Sequence, residues 1–151
     1  MESRAQSNRE RVRANAPSDK NAKVDQKTRN NIEYYRNLPA CEITQRINEL
    51  HREWDIERVL EVNAASIALS SIIFGTFTNK KWFFLTGAVA GFLLQHGIQG
   101  WCPPLPLFRA LGYRTRQEID EEIYALKTIR GDFNTISPNS KPADILASFR
   151  N

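Results

Sequence analysis

The chain has 151 residues, 21 of them Lys or Arg and 17 Asp or Glu, for a net charge of +4. A charge should fall at about every fourth position, yet Val62–Asn79 and Trp82–Phe108 contain none. Apolar residues gathered into one central block argue against a conventional soluble core, and two cysteines, Cys41 and Cys102, exclude a disulfide-rich scaffold or a four-cysteine zinc site.

In chain order, residues 1–38 come first. Residues 1–40 hold nine Lys or Arg against five Asp or Glu, whereas residues 41–151 hold twelve of each, so the excess charge sits in this arm. It has no apolar periodicity and too little apolar surface to offset the entropy of ordering, which predicts a disordered basic arm. The arm is either a solvated tail or is drawn to anionic headgroups. No apolar stretch follows Met1, so no signal peptide is expected.

Residues 39–57 follow, with Ile43, Ile47, Leu50 and Trp54 spaced by four, three and four, which places them on one face of a helix. Neither Gly nor Pro interrupts the run from Cys41 to Gly75, so this amphipathic helix is expected to lead into the next, with room for a kink near Asp55–Arg58. Its face suits a membrane surface or a partner helix.

Residues 58–78 and 82–102 read as two transmembrane helices. Val59–Thr78 carries one charge, Glu61, and Trp82–Trp101 carries none; each is close to the roughly 20 residues that cross a bilayer. The short link at Thr78–Lys81 makes the pair an antiparallel hairpin. Trp82 and Trp101 lie about 28 Å apart along a helix, which sets one ring at each headgroup interface. The competing reading is a buried soluble helix pair that dimerises. Arg46, Arg52 and Arg58 before the first span and Arg109, Arg114 and Arg116 after the second outnumber Lys80 and Lys81 in the turn, which points both termini to the cytoplasm.

Residues 103–114, opening with Pro103, Pro104 and Pro106, are expected to form an extended proline-rich strap. Residues 115–131 form a second amphipathic helix, with Thr115 and Glu118 in a capping-box arrangement, Ile119, Ile123 and Leu126 on one face and Gly131 as its stop. Residues 132–151 are a polar tail in which Ala143–Phe149 is a short helix that forms on binding.

Three groups stand out as candidate sites. In the antiparallel hairpin, residues whose numbers sum to about 160 share a depth, which puts Glu61, Asn63, His96 and Gln99 in one polar layer. Such groups are expensive in a membrane and usually face the helix interior, where they lock register or handle a ligand, proton or metal; the remaining reading is plain exposure in the interface region. Cys102 is either a small residue before a helix-ending proline or a reactive thiol, although the negative end of a helix dipole disfavours a thiolate. Gly87 and Gly91 form a Gly-x-x-x-Gly face, used either against Ser66, Ser70 and Ser71 within the hairpin or against a second copy. A single histidine without further ligands at the right spacing is a poor metal site, and no cofactor is implied.

The block Trp54–Arg58, the run Gln95–Pro106 with Gly100-Trp101-Cys102-Pro103, the stretch Leu111–Thr115 and the stretch from Ala125 to Phe133 together resemble the YgaP-like inner-membrane domain family of bacteria. The resemblance covers roughly residues 50–133. It implies a two-helix membrane module, found alone or fused to rhodanese sulfurtransferase domains, whose hallmark is a Gly-x-Cys-Pro closing the second helix. This chain lacks the rhodanese loop, so sulfur transfer does not carry over. The expected protein is an all-α bacterial inner-membrane protein and not an enzyme. Its leading role is an anchor or assembly module that contacts the bilayer, a second copy through Gly87 and Gly91, and a cytoplasmic protein, but not nucleic acid. The rival role is an accessory in thiol, sulfur or small-solute handling that uses Cys102 and the polar layer.

Overall fold

The structure is a computed structural model, and it describes residues 11–150. Among these the regular elements are helices: α1 (Arg11–Ala14), α2 (Ser18–Tyr35), α3 (Ala40–Arg52), α4 (Ile56–Phe77), α5 (Trp82–Gln99), α6 (Leu105–Ala110), α7 (Arg116–Arg130) and α8 (Pro142–Arg150). The described residues form two compact units, one from residues 11–24 and 54–117, the other from residues 25–53 and 118–150.

In the first unit, α4 does not continue α3. Glu53 is extended, and the Asp55 side chain accepts the Arg58 amide at 2.8 Å, an N-cap that starts a new helix at Ile56. The break at 53–55 corrects the expected direct continuation and falls just before the stretch where the sequence left room for a kink. Across it, Ala40–Phe77 is the one helical stretch among the described residues long and apolar enough to cross a membrane, and only 22% of its apolar window is buried. Asn79 Oδ1 accepts the Lys81 amide at 2.9 Å and turns the chain into α5.

Near this turn α4 and α5 pack closely. Ser71 and Thr86 share a hydroxyl hydrogen bond at 2.6 Å, the Phe74 and Trp82 rings lie 5.2 Å apart, and a Cβ on Gly75 would meet the Phe83 ring at 3.0 Å. At its far end α5 stops at Gly100, whose φ of 72° is left-handed and whose amide bonds the His96 carbonyl at 2.7 Å. A Cβ there would also fall 2.5 Å from Arg11 Cβ, so glycine is demanded twice.

The expected proline strap over 103–114 is corrected: Leu105–Ala110 is the short helix α6, with proline in its first turn, where a missing amide donor costs nothing. Ile56, Leu60, Cys102, Leu105 and Val12 form this unit's buried cluster, with Phe108 and Tyr113 against it.

In the second unit the two amphipathic faces meet each other. Ile43, Ile47 and Leu50 of α3 pack on Ile119, Ile123 and Leu126 of α7. Buried Glu122 Oε1 accepts from Arg46 Nε at 3.1 Å, Arg46 Nη2 at 3.0 Å and Asn31 Nδ2 at 3.1 Å. Gly131, with φ 91°, ends α7 as expected, its amide on the Lys127 carbonyl at 3.1 Å.

The N-terminal segment departs from the disorder expected of it, whereas the C-terminal tail carries a helix over the stretch where one was anticipated. Residues 1–10 of the expected arm lie outside the described residues, but α1 and α2 occupy much of the rest. They are held by buried Val12 and Val24 and by distant polar partners: the Asn21 carboxamide accepts from Arg109 Nη2 at 2.6 Å, and Asn31 reaches Glu122. In the expected polar tail, α8 sets Phe149 against Tyr124 and Phe133, with ring centroids 5.9 and 5.4 Å apart. Buried Lys127 donates to the Phe149 carbonyl at 2.8 Å, a cation at a helix C-terminus, and burial lowers its pKa.

Candidate functional site

The site lies in the first unit, where α4 and α5 face each other away from their turn. Leu60, Asn63, Ala64 and Ile67 fall on one stripe of α4, and Val89, Phe92, Leu93 and His96 on one stripe of α5; each follows the i, i+3, i+4, i+7 pattern of a single helix face. Between the stripes is a cavity of about 270 Å³, bounded also by Cys102, Pro104 and Phe108 from the chain that follows α5.

The cavity wall is hydrocarbon except at Asn63, His96 and Cys102. Asn63 Nδ2 donates to the Val59 carbonyl at 2.8 Å, one turn back in its own helix. His96 Nδ1 is buried and has no hydrogen-bond partner among the described residues. Cys102 is 4% exposed and packs in the aliphatic cluster with Leu60 and Leu105. No Asp, Glu, Lys or Arg side chain lines the space.

Of the four residues expected to form a polar layer, Asn63 and His96 meet at this cavity; Glu61 and Gln99 are exposed and do not line it. Glu61 follows Leu60 by one position, about 100° around the helix, which turns it off the lining stripe. Gln99 Oε1 accepts from Gln95 Nε2 at 3.4 Å along α5. The Arg58 guanidinium stacks 4.3 Å from the Trp54 ring, and Arg109 Nη1 donates to the Tyr113 carbonyl at 3.1 Å. Around Gly87 and Gly91 the space is open, with nothing within 4 Å of a built Cβ. The reading that packs this face against Ser66, Ser70 and Ser71 is therefore corrected; Gly75 and Ser71 are where α5 comes close.

Sequence reasoning missed the Ser71–Thr86 bond, although the register that pairs Asn63 with His96 brings these two hydroxyls opposite each other. It also missed the closure of the α5 C-terminus. Arg11 Nη1 donates to the Gly97 and Ile98 carbonyls at 2.8 and 3.0 Å, and Asn15 Nδ2 to the Gln99 carbonyl at 3.0 Å. These are the last-turn carbonyls that a helix leaves unsatisfied, served here from a segment with no local pattern to announce it.

Among the described residues, no group of three or more His, Cys, Asp or Glu side chains is placed to hold a metal ion. Residues 55–118 match the family model described as inner membrane protein YgaP-like, transmembrane domain. No curated protein matches the chain, and no solved structure does.

Proposed function

From the place of residues 55–118 in the YgaP-like transmembrane domain family, we propose that this membrane protein is a non-enzymatic anchor and assembly module of the bacterial inner membrane. In this reading α4 and α5 cross the bilayer as a hairpin, both termini stay in the cytoplasm, and the helices outside the membrane organise a cytoplasmic partner. One observation carries it: the large apolar side chains of α4 and α5 point outward, with Phe77 84% and Phe84 83% exposed, alongside Leu69, Leu94 and Ile98. Water penalises such a surface heavily, whereas lipid does not. The lengths support crossing, since the 22 residues of α4 and 18 of α5 reach about 33 and 27 Å against a hydrocarbon core of about 30 Å. The six arginines flanking the pair, against Lys80 and Lys81 in its turn, support the orientation.

Assembly has its own support in the open Gly87–Gly91 face. Two glycines one turn apart let another helix backbone approach closely, and in lipid such packing drives association. A second copy of the chain is the partner this face fits.

The test combines alkaline carbonate extraction, labelling of single cysteines and crosslinking in native membranes. In variants without Cys41 and Cys102, the protein stays in the membrane pellet, Ser7→Cys reacts only with reagent admitted to the cytoplasm, and Asn79→Cys reacts from outside. The wild type gives a crosslinked dimer that Gly91→Leu removes. Release by carbonate overturns the anchor, a cytoplasmic Asn79 overturns the topology, and a wild type that yields only monomer overturns the assembly.

A further inference from the structure

We propose that residues 11–16, α1 with the turn after it, are a strap that closes the end of the α4–α5 pair away from its turn and detaches as a unit. The inference goes beyond the anchor reading and does not depend on how many times the chain crosses the membrane.

Contacts of two kinds make the closed state. Val12 joins Ile56, Leu60, Cys102 and Leu105 in the buried cluster, and it is the one buried side chain of α1. Beside it, Arg11 Nη1 donates to the Gly97 and Ile98 carbonyls at 2.8 and 3.0 Å, and Asn15 Nδ2 to the Gln99 carbonyl at 3.0 Å. A guanidinium there also meets the negative end of α5. Gly100 lets the strap come this close, since a Cβ on it would stand 2.5 Å from Arg11 Cβ.

The strap is detachable because so little of it is buried. Four helical residues are too few to hold a helix by themselves. The bonds from Arg11 and Asn15 to α5 are exposed to water, which can replace either partner. Segments with few buried apolar contacts and exposed hydrogen bonds open at low cost. The cluster beneath has its own frame, because Ile56, Leu60, Cys102 and Leu105 all fall within the matched stretch 55–118 and Val12 does not. Ala16-Pro17 is the hinge. Beyond it α2 is tied down, as Asn21 accepts from buried Arg109 at 2.6 Å; Asn21 also donates to the Arg13 carbonyl at 2.9 Å, a bond that opening breaks. Opening uncovers the last-turn carbonyls of α5 and the Cys102 thiol, which is 4% exposed with the strap shut. A thiol that packing keeps inert reacts once water and reagent reach it, so Cys102 reports the motion.

The experiment uses the full-length Cys41→Ser protein in lipid nanodiscs, with N-ethylmaleimide as the probe of Cys102 and amide hydrogen exchange as a second readout. Cys102 should react far more slowly than in dodecyl sulfate, at a rate set by the open fraction. Arg11→Ala, which removes two bonds to α5, and Val12→Ala, which shrinks the apolar anchor, should each raise that rate about tenfold. Exchange of the Asn15 and Ala16 amides, which bond the Arg11 and Arg13 carbonyls, should rise by a similar factor while α4 stays protected. Equal Cys102 rates in the parent protein and both variants overturn the strap. A faster thiol with unchanged Asn15 and Ala16 exchange overturns its movement as a unit. A faster thiol together with lost protection in α4 means that the helix pair itself comes apart, and that too overturns the proposal.

Discussion

The α3–α7 pair and the α4–α5 pair are both two helices joined face to face, and they are built inside out with respect to each other. Between α3 and α7 the aliphatic residues are hidden, Leu50 and Leu126 completely, and one of the charges kept inside, Glu122, accepts from Arg46 and Asn31. Between α4 and α5 the contact near the turn joins the Ser71–Thr86 hydroxyl bond, Gly75 under the Phe83 ring and the Phe74–Trp82 ring pair, while Phe77 and Phe84 face outward. One pair is held by removing apolar surface from water. The other is held near its turn by the Phe83 ring seated over Gly75 and by a hydroxyl bond.

The sharpest way to break this contrast is to remove the buried charge. Glu122→Ala takes away the buried acceptor of Arg46 and Asn31, and because Arg46 is partly exposed and keeps Glu49 at 3.3 Å, the loss is about 1.5–3 kcal/mol. Hydrogen exchange should accelerate throughout α3 and α7 and leave α4 protected; equal acceleration in α4 would mean the two pairs do not differ in what holds them. A smaller effect is expected in the other pair. Ser71→Ala removes the hydroxyl bond to Thr86, worth about 0.6 kcal/mol and at most about 2 between helices in lipid. Denaturation in mixed micelles should register that modest loss, and a loss as large as that of Glu122→Ala would show that α4 and α5 are held as a soluble core is.

The smallest effect is a pH dependence confined to the second unit. Asp132 accepts from Arg130 Nε at 2.8 Å, and this hydrogen bond holds its pKa below the ordinary 3.8. A carboxylate depressed in the folded state stabilises fully above its unfolded value and loses that contribution as pH falls through the folded one. Acid titration of α7 exchange protection should therefore show a loss beginning below about pH 4, and Asp132→Asn should flatten it. An unchanged profile in that variant assigns the acid sensitivity elsewhere.

How much of this was legible in the sequence follows from which interactions are local. Periodicity alone placed the apolar faces of α3 and α7, and Gly131 marked where α7 ends, because both are properties of neighbouring residues. Register arithmetic brought Asn63 and His96 to the same level. It did not show that a cavity lies there, since that space depends on how Pro104 and Phe108 pack after α5. The N-terminal helices escaped notice for a similar reason. Asn21 and Asn31 find their partners, Arg109 and Glu122, about ninety positions away, and a polar helix held by distant hydrogen bonds has no hydrophobic stripe to read. The break before α4 was visible only as a possible kink because Asp55 serves as a cap through geometry, not through pattern.

Gly100 bears on what a family signature can report. Its left-handed backbone and the nearby Arg11 backbone exclude a side chain for two separate reasons, so a mutation there must be repaired twice before the chain can leave α5 on its present path. Cys102, two residues on, is packed away from solvent among aliphatic side chains. The stretch Gly100-Trp101-Cys102-Pro103 thus records an exit route, much as a joint records how two beams meet. Shared between proteins, it would mark common carpentry and leave each free to differ in its trade.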